Sequence, residues 1–334
     1  MTLLEMDSIG ISVTVGGEDR VIVRDVSLAL GQGESLGLVG ESGSGKSMTL
    51  KAILRLLPSA ASVVGTIRFD GIDVLNLRGR ALRAFLSRDV ASVFQNPQAS
   101  INPLARIGDF VCESLIAAGG LSRRAAYDRA VATLESVGVS DAARRMNQYP
   151  HELSGGLLQR VMISQALVSE PRLLLADEPT TALDVTTQEE VMAILNEQRQ
   201  RRGLAMVFVT HDLDLAAAGC DRIAVMYAGS IVEALPARAL HTSATHPYTG
   251  ALLAARPGLG ITGARSQPIP GHPVAAFQAP SGCPFHPRCP RATEVCRAER
   301  PALRGQGISA AACHHPLLSI EKTPLDLGRG KGEA

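Results

Sequence analysis

Residues Gly40 to Ser47 read GESGSGKS and fit G-x-x-x-x-G-K-[ST], a pattern whose residue types suit a loop wrapped around a polyphosphate. Gly40, Gly43 and Gly45 let the backbone turn tightly and approach phosphate oxygens with no Cβ in the way. The N–H groups of the loop, Ser42 and Ser44 among them, then point at the anion, backed by the start of the following helix. Lys46 adds positive charge near the terminal phosphates, and the Ser47 hydroxyl suits Mg²⁺. Such a loop requires a strand before it and a helix after it. Ser35–Val39 is an apolar run fit for a buried strand, and Met48 to Leu57 has helical spacing, stopped by Pro58.

Further strands and helices alternate along the chain. Ile9, Ile11, Val13 and Val15, then Val21 and Val23 across Gly16-Gly17, predict a hairpin of half-buried strands. DVASVF (89–94), RLLLA (172–176), LAMVFVT (204–210) and IAVMY (223–227) predict buried strands. Helical patterns fill about 107–147, 153–167 and 187–202. The alternation predicts an α/β fold with a mostly parallel sheet covered by helices on both faces. From about Ala234 the composition shifts to Pro, Gly, Ala and Arg, which marks a separate element.

More chemistry sits at predicted strand ends. Asp177-Glu178 follows an apolar strand, placing two carboxylates at the sheet edge beside the loop. Asp177 is expected to hold Mg²⁺ through water, and Glu178 to polarise the attacking water. Gln95 ends another strand, where an amide can touch both metal and water. His211 ends LAMVFVT and can donate to a terminal phosphate. Ser154-Gly155-Gly156 opens a helix and offers free N–H groups, a second anion site. Taken singly, these also suit an acidic helix cap, a solvated loop glutamine, a capping turn and a plain N-cap.

The 334 residues carry a formal net charge of +1, which gives no electrostatic case for nucleic acid as a partner. No stretch approaches the ~18 apolar residues that span a bilayer. The N-terminus MTLLEMDSIG lacks a basic region followed by an apolar core, so a cytosolic protein is expected. Four of the six cysteines, Cys283, Cys289, Cys296 and Cys313, fall late in the chain. In a reducing compartment that favours a metal site over disulfides. Their spacing is not the paired C-x-x-C of zinc ribbons, and four thiolates on a loop-rich segment need a metal to hold them together. Iron–sulfur, zinc and reduced free thiols all remain open, with His286, His314 and His315 as alternative ligands. Cys112 and Cys220 read as packing residues.

GESGSGKS, Gln95, LSGGL (153–157), LLLADE (173–178), Ala182-Leu183-Asp184 and His211, in that order over about residues 1–255, resemble the ATP-binding subunit of ABC transporters. QYPHELSGG (148–156), QNPQASIN (95–102), HPYT (246–249) and the cysteine tail resemble its dipeptide, oligopeptide and nickel uptake branch. The resemblance implies a RecA-like core with an N-terminal antiparallel β subdomain (1–95 and 155–235), a helical subdomain (96–154) and a C-terminal extension (236–334). It implies ATP and Mg²⁺ held between two such subunits, identical or homologous. Each ATP would meet one subunit's Lys46 loop and the other's Ser154-Gly155-Gly156, with Asp184 also at the nucleotide. It implies a [4Fe–4S] cluster on Cys283, Cys289, Cys296 and Cys313. Two transmembrane permease subunits, docking around residues 96–107, and an extracytoplasmic solute-binding protein would complete an importer. The chain would work peripherally on the cytoplasmic face and hydrolyse ATP to drive uptake of di- or oligopeptides. Nickel or another small solute is the alternative cargo, and a soluble ATPase acting on ribosomes or DNA is the alternative class. Two departures stand out: Leu157 replaces the usual Gln or Met, and Val15 stands where an aromatic usually stacks on adenine.

Overall fold

A strand with no polar face has to be covered on both sides, and that requirement organises the molecule. The structure, a computed structural model, describes residues 2–94, 101–117, 121–180, 184–255, 268–306 and 309–317. Its strands are β1 Thr2–Val15, β2 Glu18–Gly31, β3 Ser35–Val39, β4 Ala61–Phe69, β5 Ile72–Asp73 and β6 Val90–Val93. They continue as β7 Leu173–Asp177, β8 Ala205–Thr210, β9 Arg222–Tyr227, β10 Ser230–Pro236, β11 Arg304–Gln306 and β12 Ser309–Ala311. One sheet runs β2-β1-β4-β5, the other β11-β12-β10-β9-β3-β8-β7-β6.

β6, β7, β8, β3 and β9 are parallel. The two faces of β7 show the double cover. Leu173 and Leu175 pack with Leu38, Val209 and the antiparallel sheet. Leu174 and Ala176 pack with Phe208, Val161 and the helices on the other side. The first sheet grows from the predicted hairpin, with β1 and β2 antiparallel and Gly16 and Gly17 at φ 63 and 84 between them. The helix after the phosphate loop is Lys46–Ile53, shorter at its C-terminal end than the apolar spacing suggested. It stops at Leu54 because Arg55 takes a left-handed φ of 58, so Pro58 lies beyond the break.

The sheet is mostly parallel, as expected, and turns antiparallel beyond β9, first at β10 and then in the C-terminal extension. β10 runs antiparallel to β9, β12 to β10, and β11 to β12. The segment whose composition suggested a separate element thus extends the same sheet. Phe285 is 1 % exposed and meets Tyr227 edge-on, with ring centroids 5.3 Å apart; Tyr248 lies 5.2 Å from it. These rings join Val39, Ile223, Val225 and Leu235 in one apolar cluster. The shift towards Pro and Gly reports few regular elements, not separation from the core.

Because Phe285 anchors the extension to β9, Phe285→Ala is expected to destabilise the whole chain by about 3 kcal/mol. Urea unfolding followed by circular dichroism should show one transition at lower urea.

Candidate functional site

Parallel strands end on one side of their sheet, so whatever follows them is gathered there. Val39 pairs with Thr210 across β3 and β8, Val209 with Asp177 across β8 and β7, and Ala176 with Val93 across β7 and β6. The loop after β3, His211 after β8 and Asp177-Glu178 closing β7 therefore share one edge. Gln95 follows β6, but Gln95 itself, like Ala182 and Leu183, lies outside the described residues.

The loop has the backbone that its glycines allow. Gly40, Gly43 and Gly45 take φ 154, 79 and 107. A Cβ on Gly40 would collide with the carbonyl oxygen of Met226, and one on Gly45 would lie 2.9 Å from that of Ile22. Lys46 is 4 % exposed, and its Nζ donates to the carbonyls of Gly40 at 2.7 Å and Glu41 at 2.9 Å. Burial lowers the Lys46 pKa, and the charges of Glu178, Asp177 and Glu41 oppose that shift. Ser47 Oγ donates to Asp177 Oδ1 at 2.9 Å. Burial raises the Asp177 pKa against the opposing Ser47 hydrogen bond. Ser44 presents a buried hydroxyl with no hydrogen-bond partner among the described residues. Ser42 lies in the exposed part of the loop.

Glu178 holds a left-handed φ of 47, uncommon away from glycine, and its N–H donates to the Val209 carbonyl at 3.0 Å. That turn carries its carboxylate to 3.8 Å from His211 Nδ1. The His211 side chain is 59 % exposed, so it faces solvent at the open side of the edge. Lys46, Ser47, Asp177, Glu178 and His211 thus form one constellation: a buried cation, a hydroxyl–carboxylate pair and a second carboxylate beside an imidazole.

Ser154 caps the helix Gly155–Leu167, its hydroxyl accepting from Leu157 N–H at 3.4 Å. Ser154 and Gly155 are exposed. Among the described residues, no hydrogen bond joins this helix start to the phosphate loop. Gln159 in that helix does donate to the Pro179 carbonyl at 2.7 Å, just beyond Glu178. Asp184 caps the helix Val185–Arg202, accepting from Thr187 N at 3.0 Å and Thr187 Oγ1 at 2.8 Å. Val15 is 47 % exposed at the tip of β1.

Cys283, Cys289, Cys296 and Cys313 line one cavity of about 10 Å³ together with His246, His286, His314 and His315. Burial pushes the Cys283 thiol up to about 11, with a smaller rise from the neighbouring thiols of Cys313, Cys289 and Cys296. The space holds one water at most. Among the described residues, no group of three or more His, Cys, Asp or Glu side chains is disposed to hold a metal ion. The donor set suits a metal, but the thiols are not gathered around one. Cys112 is buried among helices, and burial pushes the Cys220 thiol up to about 12, so both are packing residues.

Glu41 and two residues of the extension meet here without any motif having singled them out. Glu41 N–H lies 3.0 Å from Tyr248 Oη, and the Glu41 carboxylate pairs with Arg288. Charge complementarity across 247 positions leaves no local pattern.

Comparison with known proteins places this geometry in context. Residues 23–181 match the family described as ABC transporter, and residues 232–296 match that described as oligopeptide/dipeptide transporter, C-terminal region. The oligopeptide transport ATP-binding protein OppD of Salmonella typhimurium is 41 % identical over 315 residues, 94 % of each chain. The dipeptide transport ATP-binding protein DppD of Escherichia coli is 41 % identical over 322 residues, 95 % of this chain and 98 % of that one. Among solved structures, a dimeric ATP-binding cassette in a post-hydrolysis state bound to ADP and Pi superposes with a TM-score of 0.63. It is 30 % identical, covering 71 % of this chain and 99 % of the other.

Burial holds the Asp177 carboxyl above the ordinary carboxylate range. The folded chain therefore keeps a proton that the unfolded chain has released, and nucleotide-free stability falls as pH rises through that window. Asp177→Asn removes this cost. It is expected to raise the melting temperature of the nucleotide-free chain at neutral pH, as read by scanning calorimetry, and to flatten its dependence on pH.

Proposed function

This chain belongs to the ABC transporter family and is an ATPase; on that premise we propose that it energises import of oligopeptides or dipeptides from the cytoplasmic face of a membrane. The contact that carries the reading is Ser47 Oγ to Asp177 Oδ1 at 2.9 Å, which ties the phosphate loop to the carboxylate strand. The cargo follows from the relatives, named for oligopeptide and dipeptide transport, and from the matching C-terminal region. Among the described residues, no helix is long and apolar enough to cross a membrane.

The chemistry uses the constellation directly. Lys46 exchanges the carbonyls of Gly40 and Glu41 for phosphate oxygens. The N–H groups of Ser42 to Ser47 cradle the same anion, and Gly40 and Gly45 keep the loop thin enough for close approach. Ser47, Asp177 through water, and Gln95 would hold Mg²⁺, which when bound would supply positive charge beside the phosphates. The carboxylate cost at Asp177 and the desolvation of Lys46 are both offset when ligand charges arrive. Glu178 accepts a hydrogen bond from the attacking water, and its left-handed turn aims the carboxylate off the strand end. His211, beside Glu178, donates to the terminal phosphate.

Ser154, Gly155 and Gly156 point their free N–H groups at the ATP of a second ATP-binding subunit, identical or homologous. The exposure of Ser154 and Gly155, and the lack among the described residues of a hydrogen bond to this chain's own loop, support that division. Asp184 lies at the same nucleotide face. Two transmembrane permease subunits and an extracytoplasmic solute-binding protein complete the assembly.

The four tail cysteines, Cys283, Cys289, Cys296 and Cys313, would hold a [4Fe–4S] cluster. Four thiol donors lining one cavity support this, and since that cavity holds one water at most, thiolate bonding would have to rearrange the loops around the cluster. A bound cluster supplies a cross-link and one-electron redox chemistry. Zinc is the alternative occupant.

Glu178→Gln is expected to lower ATP turnover of the assembled transporter at least 10²-fold while ATP binding persists. A phosphate-release assay beside a nucleotide-binding assay checks both halves, and undiminished turnover removes Glu178 from this role. Protein purified without oxygen is expected to carry iron and acid-labile sulfide, lost in Cys289→Ser. Zinc alone by elemental analysis discards the cluster.

A further inference from the structure

The phosphate loop contains a residue that opposes its purpose. Glu41 places a carboxylate at the second position of a loop built to bind a polyanion, and a like charge there weakens binding. In the fold that charge does not stand alone. Arg288 Nη1 donates to Glu41 Oε2 at 2.7 Å and Nη2 to Oε1 at 3.2 Å, a two-pronged pair. The Arg288 side chain is 3 % exposed and that of Glu41 21 %.

Arg288 is itself held from several sides. Its Nε donates to the Pro270 carbonyl at 2.8 Å, and Nη1 lies 3.4 Å from Tyr227 Oη. The guanidinium lies 5.9 Å from the Tyr227 ring centroid and 6.0 Å from that of Phe285. Tyr248 meets the same loop residue from another direction, through Glu41 N–H. Glu41 in turn reaches Lys46: its carbonyl accepts from Lys46 Nζ at 2.9 Å, and its charge acts on the ammonium. Each link from the extension to the phosphate-binding lysine is therefore a hydrogen bond or an ion pair.

We propose that Arg288 is a positioning residue of the ATP site, supplied by the C-terminal extension. It cancels the Glu41 charge and fixes the first half of the phosphate loop, acting through Glu41 without touching nucleotide. The extension is then an electrostatic part of the nucleotide site as well as a packed appendage. This rests on the reading of Gly40–Ser47 as the ATP loop.

The test is calorimetric titration of the full-length chain with MgADP. Arg288→Gln leaves the Glu41 carboxylate uncompensated and is expected to weaken binding about tenfold. Adding Glu41→Gln to that variant removes the stray charge and brings the constant back to within about threefold of the parent. A brace with a purely structural role would give no such rescue. Arg288→Lys keeps the charge and loses the fork; it should stay within about threefold and serves if the glutamine variant does not fold. Parental affinity in Arg288→Gln, no recovery on adding Glu41→Gln, or a tenfold loss in Arg288→Lys overturns the proposal. A parent chain that binds no MgADP instead overturns the ATP-site reading beneath it.

Discussion

The structure turns on a single buried ammonium. Lys46 is 4 % exposed, and such a charge is tolerated only where oxygens surround it. The carbonyls of Gly40 and Glu41 supply two, and the nearby carboxylates of Asp177 and Glu178 favour the charged form. Each of these depends on a larger element. The carbonyls require a loop turned by glycines at positive φ. The carboxylates require β7 to end level with β8, and β8 with β3. A parallel sheet achieves that, and it is stable because apolar side chains cover both its faces. On the proposed function, ligand binding would then exchange protein oxygens for phosphate oxygens around a charge already desolvated, with little reorganisation.

The extension shows how one requirement spreads. Met226 and Tyr227 close β9, next to β3. The Met226 carbonyl fills the space that a side chain on residue 40 would take, and the Tyr227 ring receives Phe285, Tyr248 and the Arg288 guanidinium. The end of one strand therefore shapes the phosphate loop on one side and seats the tail on the other. The branch-specific stretches HPYT (246–249) and CPFHPRC (283–289), with 33 residues between them, meet there because both supply aromatic rings to one cluster.

Much of the core was legible because its signals are local. GESGSGKS contains its own turn, cation and hydroxyl, so neighbours in sequence are neighbours in space. The continuous apolar runs of β3, β7 and β8 named themselves as strands buried on both faces. Asp177 and Glu178 were readable from their place after such a run. Helix ends were less so. Leu54, Leu56 and Leu57 continue an apolar pattern past the true end, and only the left-handed turn at Arg55 breaks it. The tail was the hardest part. Short strands such as Ser309–Ala311 carry almost no periodicity, and their pairing with β10 depends on an edge some 75 residues earlier.

By itself the sequence determined the residue types of the loop, the pair of carboxylates after β7 and the layered α/β core, since those follow from residue type and spacing along a few consecutive positions. Tertiary structure alone decided that Glu178 faces His211, that the extension joins the main sheet, and that Arg288 offsets Glu41. Those outcomes rest on distances between residues far apart in order, and a linear pattern holds no information about a charge pair until folding brings its two members together.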